Sequence, residues 1–163
     1  MVLNLSEVLV TDAVIPFDFS LDLSDLDFYS IHPLSKPCKV SGEVSSRAGI
    51  VTLSLKVDYT YLAPCDRCAV ETERDYSVSV ERTLVKELFD LDDERYILID
   101  GDELDVGELA RTEVILSVPG KFLCSDGCKG ICDVCGVNRN HTECDCYAEQ
   151  IDPRLAALKE LLK

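Results

Sequence analysis

Val51-Thr-Leu-Ser-Leu-Lys-Val-Asp-Tyr-Thr-Tyr61 is the stretch that decides the fold, because apolar side chains occupy every second position. The intervening positions carry threonine, serine, lysine and aspartate. A period of two indicates a β-strand with one face in the core and the other in solvent. The stretch therefore predicts a long, half-buried strand over residues 51–61.

Strands are also predicted on both sides of this stretch. Val40 to Val44, followed by the Ser-Ser-Arg-Ala-Gly turn at 45–49, predicts a preceding antiparallel strand. The second turn, Ala63-Pro-Cys-Asp-Arg-Cys68, leads into a return strand. The apolar residues predicted on one face of that return strand are Val70, Tyr76, Val78, Val80 and Leu84. These strands together predict an antiparallel meander.

The flanking regions predict the remaining elements. Alternation at Phe17, Phe19, Leu21 and Leu23 favours an edge strand or a docked loop within residues 1–30. Tyr96-Ile-Leu-Ile99 predicts a short strand between two acidic runs. Asp105, with Glu108 three residues later, predicts a helix that begins at 105 and ends before Pro119. Asp152-Pro153 begins a short terminal helix whose apolar residues are Leu155, Leu158, Leu161 and Leu162.

The predicted fold class is therefore α+β. It consists of an antiparallel sheet of four or five strands, a helix that covers one side of the core, a cysteine-rich zinc module and a terminal helix. Residues 1–119 are predicted to form the sheet and its helix. Residues 120–163 are predicted to form the zinc module and the terminal helix, packed on the same domain.

The charge balance restricts the partners of the protein. The 163 residues include 31 Asp and Glu against 16 Lys and Arg, which gives a formal net charge of −15. Such a surface repels phosphate backbones, so direct nucleic-acid binding is not expected and a basic protein partner is favoured. The first residues lack the positive region and apolar core of a signal peptide, and no apolar run is long enough to span a bilayer. A cytoplasmic protein without membrane attachment is expected.

Six of the nine cysteines fall within 23 residues: Cys124, Cys128, Cys132, Cys135, Cys144 and Cys146. In a reducing compartment this density indicates metal binding rather than disulfides. Cys132-x2-Cys135-Gly136 is typical of a zinc knuckle, in which two thiolates bind one ion and the glycine permits a tight turn. We predict one zinc ion held by Cys132 and Cys135. Either Cys144 and Cys146 or Cys124 and Cys128 could complete the site.

Alternative roles for the cysteines stay open at this point. An iron–sulfur cluster uses the same thiolates. The spacing Cys128-x3-Cys132-x2-Cys135 matches that of radical S-adenosylmethionine enzymes, but the 28 residues after Cys135 cannot supply the barrel that those enzymes need. A zinc-thiolate redox sensor is a further alternative, because exposed zinc-bound thiolates are oxidisable.

Four other residues could take part in metal binding or thiol chemistry. Cys65-x2-Cys68, on the predicted strand turn, could bind a second zinc with two remaining cysteines, act as a redox pair, or form a structural turn. His141 could replace a thiolate but is predicted to be a solvent-facing loop residue. Cys38 is predicted to be a buried or unpaired thiol.

The sequence contains none of the phosphate-loop, dinucleotide-binding or nucleophile-elbow motifs of common enzymes. An all-cysteine metal site is usually closed and structural. We therefore expect a protein that is not an enzyme.

Several segments together resemble the YceD family, the large ribosomal RNA subunit accumulation proteins. The resemblance rests on segments that follow in order from residue 35 onward: Cys65-Asp-Arg-Cys68, the helix at 105–119, Leu123 to Asn140, Cys144-Asp-Cys146 and Ile151 to Leu162. Asp133 and Arg139 depart from the usual pattern, but neither is a predicted ligand. The resemblance implies a role in accumulation of large-subunit ribosomal RNA and hence in ribosome assembly, without known catalysis.

The resemblance does not supply a mechanism, and charge limits the choices. Residues 120–150 carry three basic and five acidic side chains, a net charge of −2 before metal binding. This is not the basic footprint of an RNA reader. We expect an indirect action through a basic ribosomal or processing protein. The other two possibilities are a redox sensor and a plain adaptor whose zinc fixes the C-terminal tail to the sheet.

Overall fold

The computed structural model of the protein describes residues 1–28, 30–87 and 95–146. Within these residues the protein is mostly β-sheet with one α-helix. The strands are β1 (Val2–Asn4), β2 (Val14–Leu21), β3 (Cys38–Arg47), β4 (Ile50–Pro64), β5 (Glu71–Val85), β6 (Tyr96–Leu98) and β7 (Glu103–Asp105), and the helix is α1 (Val106–Ser117). The predicted terminal helix at 152–162 lies outside the described residues.

The main sheet has five strands in the order β2-β3-β4-β5-β6. β2 pairs antiparallel with β3, and β3 pairs antiparallel with β4. The prediction of four or five strands is confirmed, and so is the edge strand among the first 30 residues. β6 instead pairs parallel with β5. The predicted antiparallel order of the central strands is thus confirmed for β2, β3 and β4, but the parallel pairing of β6 makes the sheet mixed rather than antiparallel throughout.

The alternation that predicted β4 is borne out by burial. Its buried side chains are those at the odd positions: Val51, Leu53, Leu55, Val57, Tyr59, Tyr61 and Ala63. β3 contributes Cys38, Val40 and Val44 to the same core. The face predicted on the return strand is mostly half-buried rather than buried. Val70 was placed on that strand, but it lies before β5 and is 45% exposed.

The helix α1 begins where it was predicted to begin. Asp105 is its N-cap, and the carboxylate accepts hydrogen bonds from the backbone N–H groups of Gly107 and Glu108. The helix meets the main sheet near its C-terminal end, where the Tyr59 hydroxyl lies 2.9 Å from the Ser117 Oγ. That the helix covers one side of the core stays a prediction. β1 and β7 form a separate two-stranded antiparallel sheet that the sequence did not predict, because strands of three residues carry no clear periodicity.

The chain divides into two compact units. The first comprises Met1–Ala63 and Glu73–Gly120, and the second comprises Pro64–Thr72 and Lys121–Lys163. The second unit thus joins the loop between β4 and β5 to the cysteine-rich segment. Eight of the nine cysteines lie in this unit. The predicted packing of the zinc module on the sheet domain stays a prediction.

Candidate metal centre

The eight cysteines of the second unit form two groups of four. Within each group all four sulfur atoms lie within 4.8 Å of one another. We name the first group the loop site, which consists of Cys65, Cys68, Cys124 and Cys128. We name the second group the terminal site, which consists of Cys132, Cys135, Cys144 and Cys146.

The spacing of the sulfurs fits a single tetrahedral ion. In the loop site the Sγ atoms of Cys65 and Cys128 are 3.8 Å apart, and those of Cys68 and Cys124 are 3.5 Å apart. Zinc–sulfur bonds of about 2.3 Å in a tetrahedron place the sulfurs about 3.8 Å apart. In an iron–sulfur cluster the thiolates bind different irons and are held further apart. The four-thiol geometry therefore suits one mononuclear thiophilic ion in each site.

Each site is built around the same backbone turn. Cys65-Asp-Arg-Cys-Ala-Val70 and Cys132-Asp-Val-Cys-Gly-Val137 share the pattern Cys-Asp-x-Cys-x-Val. In each turn the N–H of the residue after the second cysteine donates to the carbonyl of the first cysteine, at 2.8 Å. The N–H of the first cysteine donates to the carbonyl of the valine, at 2.9 Å in the first turn and 2.8 Å in the second. The chain thus contains two copies of one ligand-presenting turn.

The residue after the second cysteine has a positive φ in both turns, but its identity differs. It is Gly136 (φ 73°) in the terminal site and Ala69 (φ 56°) in the loop site. We expect Gly136→Ala to destabilise the second unit by about 1 kcal/mol, because a side chain disfavours the left-handed region. A Cβ at Gly136 would meet no atom within 4 Å, so the backbone conformation alone determines the effect.

The matched variant is Ala69→Gly, for which we expect a stabilisation of about 1 kcal/mol for the same reason in reverse. The urea midpoint of metal release from the loaded protein measures both effects. Changes of the same sign in the two variants would contradict the equivalence of the turns.

The loop site joins two segments that are distant in sequence. Its cysteine pairs are separated by 63 and 56 residues. Asp66 connects the 65–70 turn to the segment that contains Cys124 and Cys128. Its carboxylate accepts a hydrogen bond from the Phe122 N–H at 2.6 Å, and its own N–H donates to the Phe122 carbonyl at 2.8 Å. Arg67 adds a contact by donating from its guanidinium to the Cys128 carbonyl at 2.8 Å. These bonds hold the two halves of the site together.

The terminal site is formed from one short segment. All four of its cysteines lie between residues 132 and 146. Ile131 and Asn138 form an antiparallel bridge that closes the base of the turn. The Arg139 N–H donates to the Gly130 carbonyl at 2.9 Å and continues this pairing. The terminal site is therefore a local structure, whereas the loop site depends on contacts between two segments that are distant in sequence.

The first cysteine of each turn is prepared to ionise. Burial would raise the pKa of the Cys65 thiol, but hydrogen bonds from the backbone N–H groups of Arg67, Cys124 and Cys68 lower it to about 6. The backbone N–H of Cys135, with that of Val134, lowers the pKa of Cys132 to about 7 against the opposing effect of burial. N–H groups directed at sulfur stabilise a thiolate, the form that binds metal.

The neighbouring thiols resist further ionisation. A hydrogen bond from the Val70 N–H lowers the pKa of Cys68, but burial and the adjacent thiols outweigh it and raise the pKa to about 12. The neighbouring thiol of Cys135 and burial raise the pKa of Cys146 to about 12. Four sulfurs at this spacing cannot all carry charge without a cation between them. The donor set therefore fits a divalent metal ion.

The two sites differ in exposure. In the loop site Cys65, Cys68 and Cys128 are buried, and Cys124 is half-buried. In the terminal site only Cys132 is buried, and Cys135 is exposed. Cys135 is thus the exposed cysteine of the two groups, which makes the terminal site more accessible to reagents than the loop site.

The structure brings together the residues that the sequence singled out, in an arrangement that the sequence left open. Cys144 and Cys146 join the predicted Cys132 and Cys135, while Cys124 and Cys128 join Cys65 and Cys68. His141 is exposed, as predicted, and belongs to neither group among the described residues. Cys38 is buried, as predicted, and burial raises the pKa of its thiol to about 11.

Asn140 is a residue at the site that the sequence analysis missed. Its side-chain amide donates to the Cys128 sulfur at 3.3 Å. This hydrogen bond is the first cause of the lowered pKa of Cys128. The only signal in the sequence was an asparagine in a cysteine-rich loop. Asparagine is common in turns, so the sequence did not distinguish Asn140 from an ordinary turn residue such as Asn138.

Across residues 1–28, 30–87 and 95–146, no helix has both the length and the apolar character needed to cross a bilayer.

The fold and the site define a class: small β-sheet proteins with two four-cysteine groups suited to metal ions, each of which includes one copy of the same Cys-Asp-x-Cys turn. Within that class the chain belongs to the YceD family. The family model described as "Large ribosomal RNA subunit accumulation protein YceD" matches residues 53–162. The resemblance noted from the cysteine and helix segments is thereby confirmed.

Two relatives are similar to the chain, one over most of its length and the other over part of it. The uncharacterized protein YlbN of Bacillus subtilis (strain 168) is 28% identical over 156 residues, which cover 90% of this chain and 87% of YlbN. The large ribosomal RNA subunit accumulation protein YCED homolog 1 of Arabidopsis thaliana, a chloroplastic protein, is 36% identical over 59 residues, which cover 36% of this chain and 18% of that protein. No solved structure matches the chain significantly.

Proposed function

We propose that the protein is a non-catalytic zinc-binding factor that promotes accumulation of large-subunit ribosomal RNA by binding a basic protein of ribosome assembly. Membership of the YceD family carries the biological role, because both the family description and the name of the Arabidopsis relative refer to large ribosomal RNA subunit accumulation. The zinc assignment is supported by the two groups of four thiols. We assign one ion to each group, in place of the single ion expected from the sequence.

Charge favours a protein partner over naked RNA. The described part of the second unit, 64–72 and 121–146, has four basic and six acidic side chains. A zinc ion together with its four thiolates carries a net charge of about −2. Two such centres make the protein more acidic than its formal −15. Proteins that bind phosphate backbones use clustered Lys and Arg. An acidic surface complements a basic ribosomal or processing protein instead, and this complementarity speeds association.

The sites support a structural role for the metal rather than catalysis. A catalytic zinc keeps one coordination position open for water or substrate. Here each ion would receive four cysteine sulfurs, which closes the tetrahedron. The ions would hold the shape of the second unit, and that shape would present the binding surface.

The first test measures ribosomal RNA in cells that lack the protein. We expect a lower ratio of large-subunit to small-subunit ribosomal RNA, restored by the wild-type chain and by Cys38→Ala. Cys65→Ser and Cys132→Ser should fail to restore the ratio, because each removes a ligand from one site. An unchanged ratio in the deletion strain would refute the assigned role.

The second test compares purified components at physiological salt. The zinc-loaded protein should bind basic large-subunit ribosomal or processing proteins, and its affinity should fall as salt rises. Binding to naked large-subunit ribosomal RNA should be no tighter than non-specific binding, with Kd in the range of about 10⁻⁴–10⁻⁶ M. Much tighter binding to naked RNA would overturn the proposal of a protein partner.

The exposure of Cys135 favours a second candidate function, that of a zinc-thiolate redox sensor. Oxidation of two thiolates to a disulfide would expel the ion from the terminal site. Reversible zinc release by mild peroxide that switches partner binding on or off would support a sensor. Release without any change in binding would leave the metal with a structural role alone.

A further inference from the structure

One side chain of the terminal-site segment contacts a ligand of the loop site. Asn140 lies between Cys135 and Cys144 in the sequence, yet its Nδ2 donates to the Cys128 sulfur at 3.3 Å. Its Oδ1 accepts from the Lys129 N–H at 2.7 Å, next to the same cysteine. The amide is therefore fixed at both ends against the loop site.

The position of Asn140 depends on the fold of the terminal site. The Asn140 N–H donates to the Asn138 side chain at 2.9 Å, and Asn138 is bridged to Ile131. The Cys132 N–H donates to the Val137 carbonyl at 2.8 Å and so ties this strand to a terminal-site ligand. A metal ion that fixes Cys132 and Cys135 thus also fixes the segment that carries Asn140.

An amide N–H directed at a metal-bound sulfur stabilises the charge on that sulfur and orients it. Groups of this kind, which contact a ligand rather than the metal, typically change metal affinity by about 10–100-fold. The loop site gains from such help because its cysteine pairs are 56 and 63 residues apart and closing that distance costs chain entropy. The terminal site closes only a short segment and pays less of this cost.

We propose that Asn140 is a positioning residue that couples the two sites, so that metal in the terminal site raises the metal affinity of the loop site. This inference rests on the proposed binding of one ion in each group. The terminal site fills first because it is local, and the ordered Asn140 then supports the loop site. Coupling of this kind is reciprocal, so an ion in the loop site also tightens the terminal site.

The decisive experiment compares Asn140→Ala with Asn140→Asp in the full chain, with circular dichroism as a check of folding. Competition between a zinc chelator and the protein measures the affinities, Co²⁺ absorption reports thiolate coordination, and alkylation with peptide mass spectrometry assigns each release to the loop or the terminal site. Asn140→Ala should weaken the loop site by about 10–100-fold. Asn140→Asp should weaken it further, because a carboxylate replaces the N–H donor beside a charged sulfur.

The aspartate variant separates the proposal from a merely structural role. Its carboxylate oxygen can still accept from the Lys129 N–H, as the wild-type Oδ1 does. If Asn140 serves only to hold that backbone group, Asn140→Asp will bind metal better than Asn140→Ala, and the proposal is overturned. His141→Ala, a neighbouring exposed residue outside both groups, is the control and should leave both affinities unchanged.

A double-mutant cycle tests the coupling itself. Cys146→Ser should empty the terminal site and weaken the loop site in the wild-type background. The same substitution should weaken the loop site much less when Asn140 is already alanine. Equal loop-site affinity with the terminal site full or empty overturns the coupling while leaving two-ion binding intact. A wild-type chain that binds no metal overturns the proposed function as well, so the two failures are distinguishable.

Discussion

Cys65→Ser is expected to destabilise the second unit by about 3 kcal/mol or more and to remove one of the two ions that we propose the protein binds. Structural zinc contributes about 10–16 kcal/mol in small metal-dependent folds, and even a quarter of this is a large share of the stability of a domain. Cys65 is one of two ligands that the loop between β4 and β5 supplies. Without a full ligand set, the ion no longer joins that loop to the segment containing Cys124 and Cys128.

The effect of Cys65→Ser should be confined to one unit of the protein. The first unit has its own core on β3 and β4, which contains no ligand from either metal site. Hydrogen exchange should therefore accelerate in residues 64–72 and 121–146 while the amides of β3 and β4 stay protected. Native mass spectrometry of the same samples counts the ions.

Cys38→Ala is the matched control for loss of a cysteine. Cys38 is fully buried in the first unit and belongs to neither metal group. Its replacement should retain both ions and should weaken only the first unit, because it removes a buried apolar contact. If Cys65→Ser left exchange in 64–72 unchanged, or if it loosened β3 and β4 equally, the assignment of the loop site to the second unit would be wrong.

The parts of the fold that sequence analysis predicted are those with a local signal. Alternation over 51–61 predicted β4 because each residue reports its own side of the sheet. Asp105 predicted the start of α1 because an N-cap acts on backbone groups two and three residues away. The parallel pairing of β6 was missed because the direction of a strand depends on the connection before it, not on the composition of the strand.

For the candidate sites too, the sequence predicted the local features and missed those that depend on distant contacts. The spacing within each cysteine pair predicted metal binding, since two thiolates on one turn can face one ion. The way the pairs combine depends on contacts between distant segments, such as Asp66 with Phe122. Those contacts leave no spacing rule in the sequence, which is why Cys124 and Cys128 could not be assigned to Cys65 and Cys68 before the structure was known.

The terminal site is expected to lose its ion to mild peroxide or to a competing chelator on the order of tenfold faster than the loop site. Oxidation and ligand exchange begin at accessible sulfur, and local opening is easier for a short segment than for a site closed by two segments that are distant in sequence. Cys135 is exposed, whereas Cys65 and Cys128 are 2% exposed. Two thiolates of the terminal site would give two electrons to one hydrogen peroxide, so that an S–S bond forms, the O–O bond breaks to give two hydroxide ions, and the zinc ion is released.

A chromogenic chelator that reports zinc release should therefore show two phases of equal amplitude. Alkylation followed by peptide mass spectrometry identifies the source of each phase. With the competing chelator, the cysteines alkylated in the fast phase should be those of the terminal site, while the loop-site cysteines and Cys38 stay protected. Cys135→Ser should abolish the fast phase, and Cys65→Ser should abolish the slow one.

A single phase, or earlier modification of the loop-site cysteines, would contradict the difference in access between the sites. The coupling through Asn140 adds a further expectation, because loss of the terminal ion removes support from the Cys128 sulfur. The slow phase should then accelerate in samples whose terminal site has already been emptied. Exposure thus determines which ion leaves first, and the Asn140 contact determines how strongly that loss affects the second ion.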